Sequence, residues 1–123
     1  ERMGYMRVVI ESPYADNVGL NISYARECLW DSLLRQESPF ASHLLYTQVL
    51  DDKISGQRKL GMDLALNWYD VADLCAVYTD HGISDGMRRG IEYAESIGLA
   101  IEERSIKDAS QRSFGASFSD NGR

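Results

Sequence analysis

Short apolar segments alternate with segments of helical periodicity along most of the chain, and this alternation limits the possible folds. Residues 6–10 (MRVVI) and 74–79 (LCAVYT) are apolar and contain β-branched side chains, as is typical of strands buried on both faces. Residues 40–46 (FASHLLY) are predicted to form a second strand or an extended segment. Residues 99–103 are predicted to form a fourth, and their charges place that strand nearer the edge of the sheet.

A first helix is predicted between the first two strands. Asp16 or Asn17 can cap its start, and the helix ends near Glu37 because Pro39 disfavours helical dihedrals in the residue before it. Its apolar positions recur every three or four residues and share one face: Val18, Ile22, Ala25, Leu29 and Leu33. Its charged positions lie on the opposite face: Arg26, Asp31 and Arg35.

Two further helices are predicted on either side of the 74–79 strand. The second helix begins near Gln57 and is indicated by apolar residues at helical spacing: Leu60, Leu64, Trp68 and Val71. The third helix lies between Ser84, which can cap its start, and Gly98, which can close its end. Its apolar positions are Met87, Ile91, Ala94 and Ile97.

The resulting order of strands and helices is that of a parallel sheet with helices on both faces. We therefore predict an α/β fold over residues 6–106: a small flavodoxin- or Rossmann-like three-layer sandwich with a four- or five-stranded, mainly parallel sheet. Residues 1–5 are an N-terminal extension, and 107–123 are a polar tail too poor in apolar residues to order by itself. Ligands of such sheets bind beyond the carboxyl ends of the strands, where the strand order reverses.

Charge and cysteine content disfavour several functions. The net charge of −6 disfavours nonspecific binding of nucleic acid, which requires Lys and Arg to neutralise phosphates. Cys28 and Cys75 are predicted to be reduced and buried, and without a Cys/His cluster neither a metal site nor a cofactor is predicted. Because the sequence has no apolar run of about 18 residues and residues 1–5 lack the apolar core of a signal peptide, we predict a cytoplasmic protein that does not bind membranes.

Candidate ligand-binding residues follow the first two strands. Ser12, Pro13 and Tyr14 form a stiff turn whose backbone N–H groups can hold a phosphate, while the Tyr14 ring can stack on a base. His43, with Ser42 beside it, can donate a hydrogen bond to a phosphate or a base edge. A half-buried histidine with a purely structural hydrogen bond fits the same pattern.

The segment 80–90 (DHGISDGMRRG) contributes the largest group of candidates. The N-terminus of a helix attracts anions, and Arg88 and Arg89 in its first turns can add charge-assisted hydrogen bonds to a phosphate. The predicted ligand-binding residues here are Asp80, Gly82, Ser84, Gly86, Met87 and Arg88. A capped surface helix with solvated arginines fits the segment equally well, and it matches neither the P-loop nor the dinucleotide-binding glycine motif.

Three motifs resemble those of the nucleoside 2-deoxyribosyltransferases. Residues 10–14 (IESPY) resemble their strand-end loop, 73–77 (DLCAV) their penultimate strand, and 86–90 (GMRRG) the start of their catalytic helix. The resemblance covers residues 6–104 and implies a flavodoxin-like fold, a nucleoside-type ligand and an oligomer. The attacking glutamate of those enzymes matches Arg88, which cannot be a nucleophile. The resemblance therefore points to a phage or bacterial branch of that superfamily that lacks the covalent mechanism.

We accordingly predict that the chain binds a nucleotide or ADP-ribose-like small molecule at the strand ends, without deoxyribosyl transfer. One alternative is an N-glycosidase that hydrolyses a nucleoside 5′-phosphate, with Glu11 and Asp85 as catalytic carboxyl groups. The other is a non-catalytic interaction protein. In each case we expect a homo-oligomer, a dimer or larger, because the aromatic helix faces need to be covered.

Overall fold

Four parallel strands form the sheet of the computed structural model, which describes residues 4–107. They are β1 (Arg7–Glu11), β2 (Ser38–Phe40), β3 (Leu74–Tyr78) and β4 (Ile101–Arg104), in the order β2-β1-β3-β4. All three neighbouring pairs are parallel. The α/β prediction is confirmed, as is the edge position of β4. The strand order reverses between β1 and β3, so the carboxyl ends of these two strands are where a ligand is expected.

Three helices cover the two faces of the sheet, as predicted. They are α1 (Val18–Leu34), α2 (Ser55–Asn67) and α3 (Asp85–Ser96), and a 3₁₀ turn over Trp68–Val71 continues α2. Asn17 caps α1 by accepting a hydrogen bond from the Leu20 N–H, and Ser84 caps α3 by accepting one from the Met87 N–H. The sequence-predicted caps are therefore confirmed at both helices.

Side chains of β1 alternate between two hydrophobic clusters, because successive residues of a strand point to opposite faces. Val8 and Ile10 pack with Tyr24 and Cys28 of α1. Val9 lies on the other face, in a cluster that includes residues of α3 and of the 3₁₀ turn after α2. The alternation places Glu11 on this second face, toward α3.

The buried face of α1 differs from the predicted one. Asp31, which the charge pattern placed toward solvent, is fully buried. It accepts a hydrogen bond from the Tyr78 hydroxyl at 2.7 Å and one from Arg35 Nε at 3.0 Å. Val18 and Leu33, assigned to the core, are each 39% exposed. These hydrogen bonds offset the desolvation cost of burying the Asp31 carboxylate. The apolar periodicity of the helix does not predict this burial.

The second strand is shorter and earlier than predicted. It ends at Phe40, and residues 41–49 turn back through two 3₁₀ turns, Ser42–Leu44 and Tyr46–Gln48. The Thr47 hydroxyl donates to the His43 carbonyl at 2.6 Å, which holds this compact path together. The turns bring Leu44 against the first cluster, so its burial comes from a turn and not from a strand.

The apolar residues that indicated α2 do not face the core. Leu60, Leu64 and Trp68 are each 45–48% exposed, and Val71 is 54% exposed. The buried side of this segment is formed by Ala65 and Tyr69. An exposed apolar stripe agrees with an oligomer, which stays a prediction.

The remaining predictions concern the cysteines, membrane-spanning helices and the two terminal segments. Cys28 and Cys75 are buried free thiols, as predicted. Among residues 4–107, no helix combines the length and apolar character needed to cross a membrane. The tail from residue 108 onward and residues 1–3 lie outside the described part of the chain.

Candidate functional site

A cavity of about 310 Å³ opens at the carboxyl ends of the strands, between α2 and α3. Its volume is at the lower end of the range for small-molecule sites. The loops after β1, β2 and β3 contribute many of its walls, as the topology requires. The predicted site residues that line it are Glu11, Tyr14, Ser42, His43, Ser84, Asp85 and Gly86.

The other predicted ligand-binding residues do not line this cavity. Ser12 and Pro13 are buried, and Met87 packs in the second hydrophobic cluster. The Met87 sulfur also accepts a hydrogen bond from the Ser84 N–H, so this side chain closes the capped turn of α3. Gly82 has a φ of +80° and lies in the turn after β3, which is the backbone conformation that glycine tolerates best.

Arg88 was predicted to hold a phosphate in the site, and the structure places it elsewhere. It is exposed and is not part of the cavity wall, whereas Arg89 is. Arg89 Nη1 lies 3.7 Å from the sulfur of Met62 on α2. Successive helical residues point about 100° apart, so only one of two adjacent arginines can face α2. A second arginine, Arg58 of α2, also lines the cavity.

Asp80 has a structural position instead of the predicted ligand contact. Its carboxylate accepts hydrogen bonds from the Tyr24 hydroxyl (2.7 Å), the Ser105 hydroxyl (2.6 Å) and the Ile106 N–H (3.0 Å). Burial would raise the pKa of Asp80, but these hydrogen bonds outweigh it and hold the pKa below its usual value. Asp80 thus ties the end of β3 to α1 and to the segment after β4.

Tyr14 and His43 form an aromatic pair in the wall of the cavity. Their rings are stacked, with centroids 4.9 Å apart and planes inclined by 23°. Burial lowers the pKa of His43, although a hydrogen bond with the Ser12 backbone acts in the opposite direction. The imidazole is therefore neutral at pH 7. The pair offers a ligand an aromatic surface, and the Ser12 backbone holds the His43 ring in place.

Glu11 brings a buried carboxyl group to the inner end of the cavity. The residue is only 7% exposed, and none of the hydrogen bonds and ion pairs formed among residues 4–107 involves it. Burial raises the pKa of Glu11 well above its usual value, so the proton is retained at pH values where an exposed glutamate has lost it. No completely enclosed side-chain polar atom of the described residues lacks a partner. The Glu11 oxygens therefore keep their accessibility through the cavity.

Gly90 of α3 makes the space that this carboxyl group occupies. A Cβ atom at position 90 would overlap the Glu11 carboxylate and lie 2.8 Å from the Tyr69 hydroxyl oxygen. Glycine at this position therefore lets β1 place a glutamate side chain directly against α3. The three residues meet at one point of the cavity wall.

Sequence reasoning missed Arg58 and Tyr69 as site residues, and it chose Arg88 over Arg89 and left out Gly90. Arg58 and Tyr69 belong to α2 and its 3₁₀ extension, which carry no motif. The GMRRG segment contained a usable signal, since its last glycine lies inside the predicted third helix, where alanine would be the better helix former.

Replacing Glu11 with glutamine is expected to change how stability depends on pH. Because the folded protein holds a proton on Glu11 that the unfolded chain has lost, unfolding releases a proton, and wild-type stability falls as pH rises through this interval. Glutamine does not titrate. Thermal unfolding of Glu11→Gln should therefore show an advantage over wild type that grows with pH. Glu103→Gln, on the exposed edge strand, controls for the change in net charge, and an equal effect there would contradict the assignment.

Comparison with known proteins relates the chain to a protein family. A family model described as "Domain of unknown function (DUF7768)" matches residues 6–104. No curated protein matches the chain. The matched region runs from the residue before β1 to the last residue of β4, and so includes the loops around the cavity. Within residues 4–107, no three His, Cys, Asp or Glu side chains gather where they could hold a metal ion.

Proposed function

The chain belongs to the DUF7768 family, and we propose that it binds a nucleotide or ADP-ribose-like small molecule in the cavity between α2 and α3. One observation carries the proposal. The cavity wall combines a stacked aromatic pair, Tyr14 and His43, with two arginines from different helices, Arg58 and Arg89. Aromatic rings stack on bases and guanidinium groups bind phosphates, so this wall offers both features that a nucleotide needs.

Both arginines are available to an anion. Arg58 Nη1 lies 3.9 Å from Asp52, in a pair that is 44% and 29% exposed, and such a pair is too weak to hold the guanidinium in place. Arg89 contacts only the weak acceptor sulfur of Met62 among the described residues. A phosphate between α2 and α3 would therefore gain charge-assisted hydrogen bonds without breaking a strong ion pair.

The two adjacent arginines of α3 provide a matched test. Arg89→Ala should weaken binding of AMP or ADP-ribose about tenfold to hundredfold, as expected for a lost hydrogen bond to a charged group. Arg88→Ala removes the same charge one residue away, outside the cavity wall, and should leave the affinity within about twofold. Isothermal titration calorimetry measures both variants. Equal losses in the two variants would contradict a specific phosphate contact at Arg89.

A second candidate is hydrolysis of the N-glycosidic bond of the bound nucleotide, which the buried Glu11 carboxyl group favours. Glu11 would donate its proton to the leaving base as the C1′–N bond breaks and its electron pair passes to the base. Asp85, also in the cavity wall, would take a proton from the water molecule whose oxygen bonds to C1′.

Product analysis distinguishes these candidates. Incubation with nucleoside 5′-monophosphates followed by chromatography detects a released base, and Glu11→Gln should then abolish release while binding persists. Binding without release would contradict the hydrolase and support the binding protein. If no nucleotide or ADP-ribose produces heat or product, the proposed ligand class is wrong, and a non-catalytic interaction protein becomes the better explanation.

A further inference from the structure

The inner end of the cavity carries a polar group that the protein itself leaves unsatisfied. Glu11 is more than nine-tenths buried, and residues 4–107 supply it with no hydrogen-bond partner. Burying such a group costs free energy unless a partner compensates. The fold nevertheless maintains it, since Gly90 leaves open the space that the carboxyl group fills. The missing partner therefore has to enter through the cavity, as water or as a ligand that displaces it.

The hydrogen-bonding capacity of this group limits what the partner can be. Burial keeps Glu11 protonated above the usual pKa of a glutamate, and a protonated carboxyl group presents one donor and one acceptor side by side. An amide side chain presents the same pair of groups, and it recognises adenine by two parallel hydrogen bonds. Glu11 can thus read the edge of a flat heterocycle.

We propose that Glu11 is a specificity-determining residue that pairs with a base edge in which a ring nitrogen lies beside an exocyclic amino group, as in adenine and cytosine. The proposal rests on the proposed binding of a nucleotide. The Tyr14–His43 stack would hold the face of the base while Glu11 reads its edge, since all three side chains line one cavity.

The amino-bearing bases fit better than the carbonyl-bearing ones because of where the proton can lie. Paired with adenine or cytosine, the proton can rest on the carboxyl group or on the ring nitrogen, and both hydrogen bonds survive in either case. Hypoxanthine and uracil present an N–H beside a carbonyl. They match only a neutral carboxyl group, since an ionised one has no donor to offer their carbonyl oxygen.

Calorimetry with two pairs of nucleotides tests this assignment. The wild-type protein should bind AMP more tightly than IMP, or CMP more tightly than UMP, by about tenfold, the discrimination typical of a two-point base contact. Glu11→Leu replaces the carboxyl group with an apolar side chain and should bring both ratios close to one. Glu11→Gln, which keeps a donor and an acceptor, should still bind AMP or CMP. Arg88→Ala should leave the ratios unchanged.

The outcomes separate this inference from the proposed function. Tight binding in which IMP or UMP equals or exceeds its amino-bearing counterpart would overturn base reading by Glu11 and leave nucleotide binding in place. Discrimination that persists in Glu11→Leu, with the fold verified by circular dichroism, would assign the selectivity to another residue and also overturn it. Failure of all four nucleotides and of ADP-ribose to bind the wild-type protein would contradict the proposed function itself.

Discussion

Arg104→Ala is expected to lower the free energy of unfolding by about 3–5 kcal/mol, the usual cost of removing one partner of a buried ion pair. The Arg104 residue is 6% exposed. Its two terminal nitrogens bind the two carboxylate oxygens of Glu37 at 2.8 and 2.6 Å, and Nη1 also donates to the Tyr78 hydroxyl at 3.3 Å. The substitution would leave Glu37 without its two-point partner beside the fully buried Asp31, which shares the Tyr78 hydroxyl.

Stability at acidic pH depends on the same ion pair, between Arg104 and Glu37. Burial alone would raise the pKa of Glu37, but hydrogen bonds from Arg104 and Ser32 outweigh it and hold the pKa below its usual value. This contribution to stability is present above the pKa of the unfolded chain and is lost as pH falls through the folded pKa. Arg104→Ala should remove most of that loss, so its stability should fall less steeply in acid than that of wild type.

An exposed ion pair of the same chain provides the control for urea denaturation. Lys59 and Asp63 on α2 are 2.6 Å apart, with side chains 74% and 47% exposed, and Lys59→Ala should cost less than about 1 kcal/mol. Arg104→Lys keeps the charge without the two-point geometry and should fall between the two. A loss for Arg104→Ala no larger than that for Lys59→Ala would show that the buried network contributes nothing to stability.

The kind and order of the elements could be predicted because they depend on local patterns. The apolar run before Glu11 forms β1, and Ser84 caps α3 through its own hydroxyl. Gly98 has a φ of +73°, in the left-handed region that ends helices most readily at glycine. Alternation of strands and helices then led to a parallel sheet and to a ligand site at its carboxyl edge.

The faces that the helices bury could not be predicted in the same way. Asp31 reads as a surface residue because its partner from the sheet, the Tyr78 hydroxyl, lies 47 positions along the sequence. Leu60 and Leu64 read as core residues, but α2 turns Ala65 inward and leaves them exposed. Both outcomes depend on how whole elements pack, and the apolar periodicity of a single helix contains no information on its neighbours.

The same limit explains why the sequence led to the wrong arginine in the site. Arg88 and Arg89 are adjacent residues of the same type. They differ because Arg89 faces α2 on one side of α3, whereas Arg88 faces solvent on the other. His43 shows the reverse case. Its predicted element, a strand, was wrong, yet the residue lies in the cavity wall because any path out of β2 begins at the carboxyl edge of the sheet.

Gly90→Ala is expected to have the largest effect on ligand binding, with a loss of at least about hundredfold, because a side chain at this position forces the Glu11 carboxyl group out into the cavity. The added Cβ would lie 2.6 Å from the carboxyl carbon and 2.8 Å from the Tyr69 hydroxyl oxygen. Overpacking of this kind costs about 1–3 kcal/mol of stability. Alanine also gains up to about 1 kcal/mol over glycine inside a helix, which offsets part of the overpacking cost. The net loss of folding free energy is therefore smaller than the loss of binding free energy.

A double-mutant cycle shows whether Glu11 is the cause. In the Glu11→Ala background the carboxyl group is gone, so Gly90→Ala should lose most of its cost in urea denaturation, with a coupling of about 1–2 kcal/mol between the two positions. Gly19→Ala on α1 is the control, since a Cβ there meets no atom within 4 Å and the change should be neutral or slightly stabilising. Additive effects of the two substitutions would mean that α3 accommodates a side chain at position 90 without moving Glu11. The carboxyl group would then not owe its position in the site to this glycine.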